Sequence, residues 1–294
     1  MKIPAVVERL VDRPALMVGR RVLEIYGLAP GGLLANGLAF TTLFAVVPIA
    51  LVTLGVAGLL VKDPEVQQQL ATALSSLVPP LQDLIQGALE SMAQGAAVTS
   101  LIGVAGLIWT VSQFYVTLDV AFSRIFTDRP ERDALRRMGR GFVWVAGLIA
   151  LVVALIVAGA IATAAEALLP TTSGWLTAFG RIVSSPPIVA LITVLVVLGV
   201  YEVVPPRRPS LRAAVPPAIV AGLAIFVLAQ IFLFAAPRIV GVAALAGPLA
   251  TAFIALAWLS FSYQGLLYGA AWVRVRDDEL TGGQASRPAP SETE

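Results

Sequence analysis

LLANGLAFTTLFAVVPIALVTLGVAGLLV, residues 33–61, holds no charged side chain in 29 positions, yet it contains Asn36, Gly37, Thr41, Thr42 and Pro48. A bilayer core of roughly 30 Å needs about 20 apolar residues of helix, so the stretch is long enough to span. A plain anchor has no use for its polar, helix-weakening first half. Ala35 and Ala39 stand four apart with Gly37 between them, and small residues at this spacing let membrane helices approach closely. Asn36 can hydrogen-bond a neighbouring helix, and Pro48 removes one backbone bond and kinks the span. Two readings follow: a helix-packing face, or a polar lining beside a bent helix.

The rest of the chain sets this span among others. Of 294 residues, 58% are hydrophobic and 13% charged, with mean hydropathy +0.87. A soluble domain carries about 25% charged residues, and a chain this apolar would expose large greasy patches in water. There is no Cys and no His. That removes disulfides, thiolate nucleophiles, Cys/His metal sites and His general bases. No metal, no cofactor and no catalytic residue is expected, and the chain reads as a non-enzyme. Net charge is only +2, so the basic pI is no nucleic-acid signal, and no nucleic-acid partner is expected.

Six stretches meet the length of a span: 33–61, 98–118, 141–165, 182–204, 213–236 and 243–273. Continuous apolar runs select helices over the ten-residue alternation of a barrel. The expected fold class is therefore all-α, a bundle of six transmembrane helices. Of the 20 Lys and Arg, seventeen fall in 1–32, 119–140, 205–212 and the tail from 274, and three (Lys62, Arg181, Arg238) in the alternate connections. The positive-inside rule puts both termini in the cytoplasm of a bacterial inner membrane. The first apolar run starts too late and is too long for a cleaved signal, so it is expected to insert as a signal anchor.

Three domains follow: a juxtamembrane helical segment at 1–32, a transmembrane domain at 33–273 and a disordered tail at 274–294. The outer connection 62–97 reads as two amphipathic helices separated by Pro79-Pro80. Asp63-Pro64-Glu65 opens the first as N-cap, first-turn proline and acid. The tail has no hydrophobic pattern.

Intramembrane polar groups are the candidates for function. Asn36, Thr41, Gln113, Asp119, Gln230 and Gln264 are candidates for a polar interior, with Asn36, Thr41 and Gln113 expected to share one between the first two spans. Lipid-facing amides would leave donors and acceptors unpaired in hydrocarbon. Gly37, Pro48, Gly265 and Gly269 read as kink or packing positions. Glu202 reads as an interfacial acid beside Arg207, Arg208 and Arg212. Arg136, Arg137, Arg207, Arg208 and Arg212 lie close to the inner leaflet and are expected to meet anionic headgroups at about 1 kcal/mol each.

Taken in order, four blocks resemble the YihY/virulence factor BrkB family, which once carried the name ribonuclease BN. They are ANGLAFTTLFAVVPI (35–49), IWTVSQFYVTLDVAFSRIF (108–126), YEVVPPRRPSLRAAVPPAIVAGLAIF (201–226) and GPLATAFIALAWLSFSYQGLLYGAAW (247–272). Two positions depart from the family pattern: Asp119 stands where Asn is frequent, and Trp272 stands at the usual closing acid. The resemblance implies a bacterial inner-membrane protein. The residues do not fit a ribonuclease, having no His, no carboxylate cluster and no cytoplasmic domain to hold RNA. The expected function is a transporter or flippase-like carrier of a lipid or lipid-linked envelope molecule. The alternative is a non-transporting scaffold for envelope organisation. Membrane lipids are the expected partners, with a second copy or an envelope protein also open.

Overall fold

The computed structural model describes residues 14–60, 82–126, 139, 141–148, 185–242 and 247–285. Every regular element among them is a helix: α1 (Pro14–Leu28), α2 (Gly31–Leu60), α3 (Gln82–Ile125), α4 (141–148), α5 (Pro186–Val203), α6 (Leu211–Val242) and α7 (Gly247–Ala285). By length and apolarity alone, Gly103–Ile125, Pro186–Val203 and Leu211–Ala235 can cross a membrane. A fourth candidate is the pair Met17–Leu28 and Gly31–Ala45, bent by 64°. The first amphipathic segment of the outer connection and most of the third expected span, 141–165, lie outside the described residues.

Two boundaries differ most from the sequence reading. The second amphipathic segment and the second span are one helix of 44 residues, α3. No proline interrupts Gln82–Ile125, and its glycines cost about 1 kcal/mol each without stopping it. At about 66 Å, α3 is twice the thickness of a hydrocarbon core. The tail also differs: α7 runs on from 273 to Ala285 instead of becoming disordered at 274. Lack of a hydrophobic pattern suggested disorder, but 274–278 is held by contacts to other helices, described below.

The bundle is arranged around α7, which touches α1, α2, α3, α5 and α6. The most extensive helix pair is α2 with α3. Gly37 faces the Thr117 methyl, with 3.5 Å from an added Cβ, and Pro48 packs over Gly106, with 3.3 Å by the same measure. These two contacts run in opposite chain directions, so α2 and α3 are antiparallel. Ala35 and Ala39 are both 0% exposed, which puts the small pair of the first span in a packed contact. Trp144 of α4 lies over Gly199 of α5, and Tyr115 of α3 packs edge-on to Phe142 of α4 at 5.9 Å.

The best-packed core joins Leu38, Leu118, Phe122, Tyr201 and Leu267, all near the Arg-rich end. Large side chains such as Trp109, Leu233 and Phe253 point outward. In hydrocarbon these outward groups lose nothing, and helix association must come from close packing and polar contacts instead of water exclusion.

Glycine makes that closeness possible at α5–α6. A Cβ on Gly222 would stand 2.7 Å from the Val194 Cα, a backbone atom that cannot swing away. Elsewhere in a helix, Gly→Ala stabilises by about 0.5–1 kcal/mol. Gly222→Ala is expected to do the opposite, costing about 1–3 kcal/mol through overpacking. Gly282→Ala, where a Cβ meets nothing within 4 Å, is expected to be neutral or stabilising. Thermal unfolding in detergent compares the two; equal midpoints would contradict the close crossing.

Candidate functional site

Two polar zones stand out. The first lies where α2, α3 and α7 meet. Ser260 donates its hydroxyl to Asn36 Oδ1, and Gln264 Nε2 donates to the Ser260 hydroxyl at 3.3 Å. Close by, Thr42 donates to the Leu38 carbonyl at 2.8 Å, and its hydroxyl meets the Tyr263 hydroxyl at 2.6 Å. A hydroxyl has one proton, so Tyr263 is the donor in the second bond. The Tyr263 ring also rests against Phe114 of α3 at 6.0 Å. Asn36 is exposed on the flank of the bundle, while Ser260 and Gln264 are partly buried. The zone is a short row of hydroxyls and amides that reaches the outer surface of the helices.

The second zone is at the Arg-rich end, where residues 274–278 of α7 meet three chain segments. Arg274 donates to the Ile125 carbonyl, one of the free carbonyls at the end of α3. Asp277 Oδ1 accepts from the Ser210 backbone N–H at 2.9 Å, and the Ser210 hydroxyl accepts from Ala213 N–H at 3.3 Å at the start of α6. Arg276 Nη2 reaches the Arg212 carbonyl at 3.5 Å. That carbonyl lacks its normal helical donor, because the residue four further on is Pro216. Asp278 lies 3.9 Å from Arg21 of α1 and 4.0 Å from Arg274. Glu202 is within electrostatic reach of Arg208 and Asp277, and its Oε1 is buried without a hydrogen-bond partner.

The residues singled out from sequence fall into different places. Asn36 and Gln264 are brought together through Ser260. Thr41 turns back onto its own helix, bonding the Gly37 and Leu38 carbonyls at 3.1 and 3.0 Å. Gln113 is exposed on α3, one turn from Thr117, and Gln230 is exposed on α6. The polar contact of Asn36 is therefore with the last long helix, not with Gln113 on the second. The reason is geometric: the α2–α3 contact is occupied by Ala35, Leu38 and Leu118, which pack without polar atoms. Asp119 is partly buried on α3. Gly269 is closed over by Tyr201, whose hydroxyl donates to the Leu266 carbonyl at 2.7 Å. Gly265 is open, with only Ile225 near an added Cβ, at 3.9 Å. Arg207, Arg208 and Arg212 are exposed, and Arg136 and Arg137 lie outside the described residues.

Ser260, Tyr263, Arg274, Arg276 and Asp277 were not singled out. The polar interruption SFSYQ (260–264) inside the last span was the available signal for the first two. For the others it was the helical register that carries RVRDD (274–278) straight on from that span. Among the described residues, no group of three or more His, Cys, Asp or Glu could hold a metal ion.

The family model described as virulence factor BrkB matches residues 26–293, and the chain belongs to that family. A UPF0761 membrane protein of Aromatoleum aromaticum is 28% identical over 240 residues, covering 81% of this chain and 58% of that protein. A UPF0761 membrane protein of Rhodospirillum rubrum is 28% identical over 252 residues, covering 81% of this chain and 53% of that one. The chain thus spans between half and three-fifths of the length of these relatives. No solved structure matches it.

The two zones are expected to differ in their share of stability. Arg274→Ala removes a charged donor from a helix-end carbonyl, and hydrogen bonds to charged groups contribute about 1.5–3 kcal/mol. Tyr263→Phe removes one hydroxyl and leaves Thr42 bonded to Leu38; such interhelical bonds average about 0.6 kcal/mol. Unfolding midpoints in detergent are expected to fall further for Arg274→Ala. The reverse order would make the intramembrane row the stronger tie.

Proposed function

We propose that this BrkB-family protein is a bacterial inner-membrane carrier for a lipid or lipid-linked envelope molecule, and that it performs no chemical step. One observation carries the reading. Asn36 is exposed on the bundle flank, yet its amide oxygen belongs to a row that continues through Ser260 to Gln264. A polar amide facing hydrocarbon costs free energy unless something polar visits it. A headgroup moving along α2 and α7 would be such a visitor, while its acyl chains stay in the bilayer. The row offers hydrogen bonds without a nucleophile–base pair, in keeping with movement and not catalysis. The sequence has no nucleotide-binding motif, so the energy would come from a gradient or a partner.

The proposed topology has six spans with both termini cytoplasmic, on the seventeen-to-three division of Lys and Arg. Arg207, Arg208 and Arg212, with Arg136 and Arg137, then face the anionic inner leaflet. The chain has no native Cys, so single-cysteine labelling is clean. With Gln68→Cys, label is expected from outside the cell, and with Asp278→Cys from the cytoplasm only. Cytoplasmic labelling at position 68 would reverse the topology.

The carrier reading itself is tested in vesicles holding purified protein and fluorescent or precursor lipid. Wild type is expected to equilibrate lipid between leaflets, and Asn36→Leu to lose most of that rate while its melting temperature falls only slightly, by the loss of one interhelical bond. A loss that only follows reduced folded protein would make Asn36 a packing residue. If wild type moves no candidate lipid, the scaffold reading replaces the carrier.

A further inference from the structure

A cleft of about 420 Å³ lies between α1, α6 and α7, away from the α2–α7 polar row. Its walls include Gly19 and Val22 of α1, Pro217 and Ala224 of α6, and Gly265 and Trp272 of α7. The volume falls within the roughly 300–1,000 Å³ of small-molecule sites, but the lining is almost entirely apolar. Of its three lining glycines, Gly269 is forced by packing against Tyr201, but Gly19 and Gly265 are not. A Cβ on Gly19 would meet nothing within 4 Å, and one on Gly265 only Ile225 at 3.9 Å. The described residues leave this space unfilled by their side chains.

Charge stands at one end of the cleft. Arg276 is one helical turn beyond Trp272 on the same face of α7, and it reaches across to the Arg212 carbonyl on α6. A guanidinium has five N–H donors. Arg276 has one bond at 3.5 Å, and its Nε is buried without a partner. Arg212 is exposed, and among the described residues no carboxylate lies within ion-pair distance of either arginine. Nearby Asp277 is occupied by Ser210 and Asp278 by Arg21 and Arg274. Among the described residues, two arginines without an ion-pair partner therefore lie near the Trp272 end of an apolar groove, Arg276 one turn beyond Trp272 and Arg212 joined to it through its carbonyl.

We propose that this groove is a binding site for an anionic phospholipid of the membrane, one acyl chain lying between α1, α6 and α7 and the phosphate on Arg276 and Arg212. Forked N–H donors match phosphate oxygens, and the apolar walls match the chain. The site rests on the carrier reading only in placing the Arg-rich end at a leaflet surface. It needs no lipid movement.

The test is lipid retention in native mass spectra, with protein purified in detergent and offered phosphatidylglycerol or phosphatidylcholine. Wild type is expected to retain phosphatidylglycerol at least tenfold better. Arg276→Gln combined with Arg212→Gln should abolish that preference, because glutamine keeps a donor for the carbonyl but no charge. Gly19→Leu should fill the groove and lower retention of both lipids, and Ala224→Phe does the same from α6 should Gly19→Leu fail to fold. Soluble glycerol phosphate should not compete, since it lacks the chain; full competition would make this an ordinary phosphate site and overturn the proposal. Equal retention of phosphatidylglycerol by wild type and all correctly folded variants would also overturn it. So would a change in oligomer mass with lipid retention unaltered, which would make the groove an interface between copies. Because retention is an equilibrium measurement, failure of vesicle transport leaves this outcome unaffected.

Discussion

Helix ends and positions before a proline leave backbone groups without helical partners, and these are satisfied by side chains, water or ligands. Residues 274–278 of α7 supply side-chain partners for three such groups, one at the end of α3 and two at the start of α6. The Ile125 carbonyl ends α3, the Ser210 N–H begins α6, and the Arg212 carbonyl is released by Pro216. Each is paired by a charged side chain of one helix. This is why α7 continues past its apolar segment: the continuation is a set of caps for other helices. The arrangement also accounts for the position of the core, because Phe122, Tyr201 and Leu267 are buried where those ends converge.

Further along the same helices, the contacts change character. Around Ser260 and Tyr263 the bonds are between neutral side chains, and they link α7 to α2 alone through Asn36 and Thr42. Such contacts are individually weak in membranes. A bundle clamped at one end and lightly bonded in its middle can alter the middle without losing the clamp. At the far end, Arg238 folds back to the Phe234 carbonyl of its own turn and lies 3.5 Å over the Phe234 ring. Among the described residues it ties no other helix, in contrast to Arg274.

The helical class and the family were legible in sequence because long apolar runs admit few structures and four blocks kept their order. The close approach of the first span was legible too, as Ala35 and Ala39 advertise it by size. The partner was not. Asn36 could have bonded any neighbour, and its choice of Ser260 depends on which helix occupies the centre. Helix ends at 97 and 273 were misplaced for a related reason. Hydrophobic pattern marks the part of a helix in lipid, whereas α3 and α7 extend beyond it. The α7 extension is polar and carries no periodic signal, the α3 extension carries an amphipathic one that reads as a separate helix, and nothing in either breaks a helix.

Glycine shows most sharply where sequence stops. Gly222 and Gly269 sit against Val194, Tyr201 and Ala221 with no room for a methyl group, whereas Gly19 and Gly265 border open space. In the sequence nothing separates Gly222 and Gly269 from Gly19 and Gly265 by size or helix propensity, and each weakens its helix by a similar amount. For the first pair, the compensation is contact between helices. For the second pair, the described residues offer only the Ile225 contact at Gly265, which leaves room for compensation from the medium beside them. In a membrane that medium is acyl chain. The same residue type thus serves protein–protein closeness at α5–α6–α7 and leaves room for lipid at α1–α6–α7, and only the position of neighbouring helices separates the two uses.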